Sequence, residues 1–72
     1  MYTVITQKDC KWCTKAKDLL FERGLPFEVY PLEDHRFLVD VFPKLNLKTV
    51  PQIWDRHIYV GGYEDLAKYL DH

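Results

Sequence analysis

Tyr2-Thr3-Val4-Ile5-Thr6, the polar step Gln7-Lys8-Asp9, the group Cys10-Lys11-Trp12-Cys13 and the run from Thr14 to Tyr30 decide the fold. The first five residues are short and rich in β-branched side chains, which reads as a strand. From Lys11 to Arg23, Cys13, Ala16, Leu19 and Leu20 recur at helical spacing. Asp9 is a candidate N-cap, which would place Cys10 in the first turn. Gly24 stands where a left-handed C-terminal cap belongs, and Pro26 prevents the helix from continuing. Phe27-Glu28-Val29-Tyr30 alternates as a second strand and is stopped by Pro31. Strand, helix and strand within about 30 residues form a βαβ unit, so the two strands should run parallel with a right-handed crossover.

Beyond this unit, Glu33-Asp34 opens a helical pattern that carries Phe37, Leu38, Val41, Phe42 and Leu45 on one side. Pro43 should end or kink that helix near Phe42. Gln52-Ile53-Trp54 and Ile58-Tyr59-Val60 flank the polar turn Asp55-Arg56-His57 and predict an antiparallel hairpin. After Gly61-Gly62, Tyr63 to Leu70 reads as a last helix with Leu66, Ala67 and Leu70 as its buried stripe. The order is βαβαββα, an α/β architecture with a mixed four-stranded sheet flanked by helices, and its core should be shared by both sheet faces. Phe37, Phe42 and Trp54 are expected in the core or against the sheet.

The chain has 72 residues and a formal charge of −1, and 47% of its residues are apolar. This is the composition of one small globular domain spanning residues 1–72. A sequence pI of about 6.2 argues against a nucleic-acid binder. No apolar run approaches the roughly 20 residues that span a bilayer, and Met1-Tyr2-Thr3-Val4 does not open a signal peptide, so a cytoplasmic, membrane-free protein is expected.

A domain this small usually needs a disulfide framework, a metal or tight packing. Its two cysteines, Cys10 and Cys13, are three positions apart. A bridge between them closes so short a loop that it removes little unfolded-chain entropy. Their position at a helix start suits redox chemistry instead. The helix N-terminus carries about +0.5 charge and unpaired N–H groups, which favour a thiolate, and the thiolate is the attacking species. Cys10 should be the exposed nucleophile. Cys13, in line with Ala16 and Leu20, should be the buried resolving thiol. Lys8 and Lys11 add positive potential near Cys10, partly offset by Asp9. A structural zinc needs four ligands, and His35, His57 and His72 lack metal-ligand spacing, so no metal site is expected. These histidines are expected to be solvated.

Thr49-Val50-Pro51 precedes a strand. Taken alone, Pro51 is an ordinary loop proline, since only about 5–6% of X-Pro bonds in folded proteins are cis. Beside a C-x-x-C the balance reverses. Any strand-to-helix turn favours one glycine for positive φ, whereas two, as in Gly61-Gly62, also clear space for a ligand.

Cys10-Lys11-Trp12-Cys13, Thr49-Val50-Pro51-Gln52 and Gly61-Gly62 followed by Glu64-Asp65-Leu66 together resemble the three signatures of dithiol glutaredoxins, in that family's order and over essentially the whole chain. The resemblance implies a thioredoxin-like fold and a glutathione-dependent thiol–disulfide oxidoreductase with no tightly bound cofactor. It implies a cis Pro51 that sets the Val50 backbone beside the disulfide, where it would pair with the cysteinyl part of glutathione. The γ-glutamyl carboxylate would meet the start of the last helix near Tyr63 and Glu64. Lys8 would meet the glycine carboxylate, and Trp12 would cover the bound partner. The implied glutathione set is Lys8, Trp12, Thr49, Val50, Pro51, Gly62, Tyr63 and Glu64, with Cys10 and Cys13 catalytic. Partners would be glutathione and disulfide-containing proteins, ribonucleotide reductase being the family's expectation, and the chain would act as a monomer.

Three features, at four positions, depart from the family's common pattern. Lys11-Trp12 replaces Pro-Tyr, Gln7 replaces a basic residue, and Glu64 stands where Asp or Ser is frequent. The length is close to that of NrdH-type redoxins and some phage glutaredoxins. An NrdH-like redoxin recharged by thioredoxin reductase is therefore the alternative reading. An iron–sulfur cluster held by Cys10 across a dimer is a more distant one.

Overall fold

The β-branched N-terminal run forms strand β1 (Tyr2–Thr6), followed by helix α1 (Lys11–Glu22) and strand β2 (Phe27–Pro31). Helix α2 (Phe37–Lys44), the hairpin strands β3 (Gln52–Asp55) and β4 (Ile58–Gly61) and helix α3 (Tyr63–Leu70) complete the chain. The computed structural model describes residues 1–45, 47 and 49–71. His72 lies outside the described residues.

The sheet order is β2-β1-β3-β4. β1 runs parallel to β2, with Val4 opposite Val29, and antiparallel to β3, with Val4 opposite Ile53. The βαβ unit and the hairpin are thus as the periodicity predicts. The hairpin turns at Arg56, whose φ is 59°, and a register irregularity falls between Ile53 and Trp54.

The alternation of β1 sends Tyr2 and Val4 to one face, where they pack with Ile53, with Ala16 and Leu20 of α1 and with Leu66 of α3. Val4, Ala16, Leu20, Ile53 and Leu66 are fully buried. Each such Leu or Ile contributes about 1.5–3 kcal/mol by leaving water. On the other face Ile5 and Trp54 meet Leu38, Val41 and Phe42 around an apolar hollow of about 290 Å³.

The core is therefore concentrated on the α1/α3 face rather than shared equally. Of the three aromatics expected inside, Phe42 is buried and Trp54 half-buried, but Phe37 is 63% exposed at the start of α2. As the first residue of α2, Phe37 lies at the edge of the stripe of Leu38, Val41 and Phe42 that meets the sheet.

Two helix boundaries also differ. Asp9 is not the N-cap: with φ at 57° it turns the chain in the left-handed region, and Cys10 takes the cap position in extended geometry. The pattern opened by Glu33-Asp34 becomes a 3₁₀ turn (Leu32–Asp34) that breaks at His35, so α2 begins only at Phe37. His35 is not simply solvated. Its Nδ1 lies 3.1 Å from the Pro31 carbonyl oxygen, and its ring packs edge-on against Tyr30.

Pro43 does not end α2 at Phe42 but lies within it. Lacking an N–H, it cannot bond the Val39 carbonyl, and the helix ends one residue later at Lys44, where Leu45 N–H closes the turn on the Val41 and Phe42 carbonyls. Gly24, with φ at 67°, caps α1 as expected. No described helix is long and apolar enough to cross a membrane.

Candidate active site

Cys10 sits where β1 hands over to α1, and its sulfur is the helix cap. Sγ accepts the Cys13 N–H at 3.1 Å, so one of the first-turn donors points at the sulfur. The two cysteines form a disulfide with Cα atoms 5.2 Å apart. Cys13 is 2% exposed, on the same stripe as Ala16 and Leu20, whereas Cys10 is half-buried. Cys10 is the more accessible sulfur, which is the asymmetry the sequence predicts.

The Val50–Pro51 peptide is cis, and the Val50 carbonyl oxygen lies 3.9 Å from Cys10 Sγ. Beside it opens a cavity of about 430 Å³ lined by Trp12, Thr49, Val50, Pro51, Gly62, Tyr63 and Glu64. These seven sequence-nominated residues come from the start of α1, the entry to β3 and the start of α3. The Trp12 and Tyr63 rings meet at 5.5 Å between centroids. Lys15 and Lys11 hold their ammonium groups 5.0 and 5.7 Å from the Trp12 ring centre.

Lys8 is not part of this set. It lines a second cavity on the β2 flank of β1, which shares Cys10 as a wall.

Three lining residues escaped the sequence-level nomination: Gln52, Tyr59 and Asp65. Gln52 is 4% exposed, and its amide spans the loop. Nε2 donates to the Thr49 carbonyl at 2.8 Å, and Oε1 accepts the Tyr59 hydroxyl at 2.5 Å. Burial and the Asp65 charge raise the Tyr59 pKa, so the phenol stays a donor. The hairpin register, with Trp54 opposite Tyr59, was the available signal for this side chain.

Asp65 is the third residue after Gly62, the spacing of a capping partner. Its Oδ2 accepts the Gly62 N–H at 3.3 Å, so Asp65 rather than Glu64 caps α3.

The two glycines do different work. Gly61 is buried at φ 122°, and a Cβ there would overlap the Asp65 carboxylate and sit 2.9 Å from its Cβ and Cγ. A Cβ at Gly62 would meet only the Pro51 carbonyl, at an ordinary 3.6 Å. Gly61 is thus demanded by packing, and Gly62 is the one that borders the cavity.

The family model for glutaredoxin matches residues 1–58. The chain belongs to the glutaredoxin family. Among glutaredoxins, that of Pseudomonas aeruginosa is 34% identical over 64 residues, covering 88% of this chain and 76% of the relative. The hybrid peroxiredoxin hyPrx5 of Haemophilus influenzae is 37% identical over 68 residues. That match takes in 94% of this chain but only 28% of the longer protein.

Among solved structures, glutaredoxin 1 from Francisella tularensis, complexed with cacodylate, superposes with a TM-score of 0.84 at 23% identity, covering 97% of this chain and 91% of that one. The NrdH-redoxin of Escherichia coli superposes at 0.82 and 18% identity, covering 99% and 93%. At such identities the likeness is one of fold, here the thioredoxin-like α/β fold of glutaredoxins.

As a glutaredoxin, the protein is a thiol–disulfide oxidoreductase, and Cys10-Lys11-Trp12-Cys13 provides its redox-active disulfide. Among the described residues no three His, Cys, Asp or Glu side chains gather as a metal site.

Proposed function

We propose that this glutaredoxin draws its electrons from glutathione and reduces both protein disulfides and glutathione mixed disulfides. The observation that carries the reading is the cavity next to the Val50 carbonyl and Cys10, lined by Val50 and Tyr63 at the ends of two elements, with Trp12 as an aromatic wall. An extended cysteinyl segment pairs with the Val50 N–H and C=O as an added strand. The γ-glutamyl carboxylate meets the free N–H groups at Tyr63 and Glu64. The buckwheat glutaredoxin–glutathione complex, with a TM-score of 0.80, has the same fold at 19% identity.

In the reductive step the Cys10 thiolate attacks one sulfur of the substrate disulfide. A Cys10–substrate bond forms, the substrate S–S bond breaks, and the other half leaves as a thiolate that takes a proton from water. The Cys13 thiolate then attacks Cys10 Sγ and expels the second half, leaving the Cys10–Cys13 disulfide and a substrate reduced by two electrons. One glutathione thiolate reopens that bridge at the accessible Cys10 sulfur and frees Cys13. A second attacks the glutathionyl sulfur, departs as glutathione disulfide and restores the Cys10 thiolate.

The test is disulfide reduction coupled separately to glutathione with glutathione reductase and to thioredoxin reductase. Turnover with the first is expected. Turnover with the second alone would replace this reading by an NrdH-like redoxin. Cys10→Ser should abolish activity, whereas Cys13→Ser should retain reduction of glutathione mixed disulfides, because that route does not need the resolving thiol.

A further inference from the structure

A disulfide substrate has two halves, and two cavities lie near Cys10, one that it lines itself and one that opens at Val50, whose carbonyl oxygen is 3.9 Å from the Cys10 sulfur. The one on the β3–β4 flank has, among the described residues, Glu64 and Asp65 as its charged lining. The one on the β2 flank is larger, about 640 Å³, has both Cys10 and Cys13 in its wall and presents Lys8, Lys11 and Lys17 against Asp9 and Glu33. The imbalance begins in the sequence. Residues 7–17 hold Lys8, Lys11, Lys15 and Lys17 against Asp9, a local charge of +3 in a chain whose net charge is −1. Lys15 lies over Trp12 of the other cavity, so here Lys8, Lys11 and Lys17 face Asp9 and Glu33 with one positive charge in excess. Lys17 is seven residues, or about 10 Å of helix rise, from Cys10, which is within a Debye length at roughly 0.1 M salt.

We propose that the β2-flank cavity docks the protein half of the disulfide substrate, and that the segment it fits is acidic. Carboxylates flanking the substrate's reacting cysteine meet Lys8, Lys11 and Lys17 while its sulfur lies at Cys10. Glu33 on the far wall opposes them and limits the preference. Complementary charge of this kind acts mainly on the encounter rate and is weakened by salt. The proposal rests on the thiol–disulfide activity and is independent of whether glutathione is the reductant.

The test uses the full chain, reduced, and two peptides of equal length whose single cysteine carries the same coloured aromatic thiol as a disulfide. One peptide has glutamates beside the cysteine and the other lysines, so release of the same coloured thiolate reports both reactions. The glutamate peptide should react about tenfold faster at low salt, and the gap should close in high salt. Lys17→Glu should cut that ratio by about fivefold, and Glu33→Gln should widen it. Equal rates for the two peptides at low salt, or a ratio indifferent to both substitutions, overturns the proposal. Because the wild-type salt comparison and Glu33→Gln stand without Lys17→Glu, a variant that fails to fold does not spare it. Either result leaves the glutathione-coupled assay to be judged on its own.

Discussion

At the residue scale, one of two adjacent glycines answers a packing demand and the other borders the cavity. Gly61→Ala forces a Cβ into Asp65 at a φ of 122° that L-residues avoid, so thermal unfolding should show a loss of about 1–3 kcal/mol. Gly62→Ala meets no such overlap, so its stability loss should stay below about 1 kcal/mol while the KM for glutathione mixed disulfides rises. The buried amide of Gln52 makes a second case. Tyr59→Phe removes the donor to Oε1 and loosens the brace on Thr49, at a cost of about 1 kcal/mol in urea unfolding. Since Val50 is the next residue, the same variant should raise KM more than it lowers kcat. A purely structural Tyr59 would leave that split unmoved. Gln52 stands in the Thr49-Val50-Pro51-Gln52 signature, but nothing in one dimension pairs it with Tyr59. Seven residues separate them, and only the hairpin register brings hydroxyl and amide together.

At the scale of elements, the helices are unequal. α1 and α3 bury Ala16, Leu20 and Leu66 in the shared core and pack against one another. α2 buries Phe42 alone, contains Pro43 and leaves Phe37 and Val39 more than half exposed. A helix with so little buried surface opens at low free energy. Amide hydrogen exchange should therefore run at least about a hundredfold faster in α2 than in β1 and β3, and equal protection would contradict that ranking. The cysteines sit at the opposite kind of junction. β1 is the central parallel strand and α1 the best-buried helix, so Cys10 is held between two rigid elements. Periodicity located both elements, but it could not tell that the α1 cap is the Cys10 sulfur. That followed from the left-handed turn at Asp9, which shifts the cap by one residue.

For the whole molecule, alkaline pH tests how the chain's tyrosines are tied together. Burial and Asp55 raise the Tyr2 pKa, and a 2.6 Å hydrogen bond to Asp55 raises that of Tyr69. With Tyr59 also raised, and Tyr30 raised by its hydrogen bond to Glu28, four phenols hold their protons more tightly folded than unfolded. Stability is then fully present below the unfolded value of about 10 and is lost as pH rises through the higher folded values. Urea midpoints should stay flat from about pH 7 to 9 and fall beyond pH 10, and Tyr69→Phe should soften that fall. The order βαβαββα, the parallel pair, the hairpin and the unequal burial of Cys10 and Cys13 were all readable from the chain, because each rests on local period, turn chemistry or spacing along three residues. The tertiary structure alone decided that the core lies mainly on the α1/α3 face and that Lys8 parts from the other nominated residues. It also decided that Gln52, Tyr59 and Asp65 complete the cavity. Those outcomes depend on which side of β1 each distant segment packs, and strand order and register set that side, not any pattern within a segment.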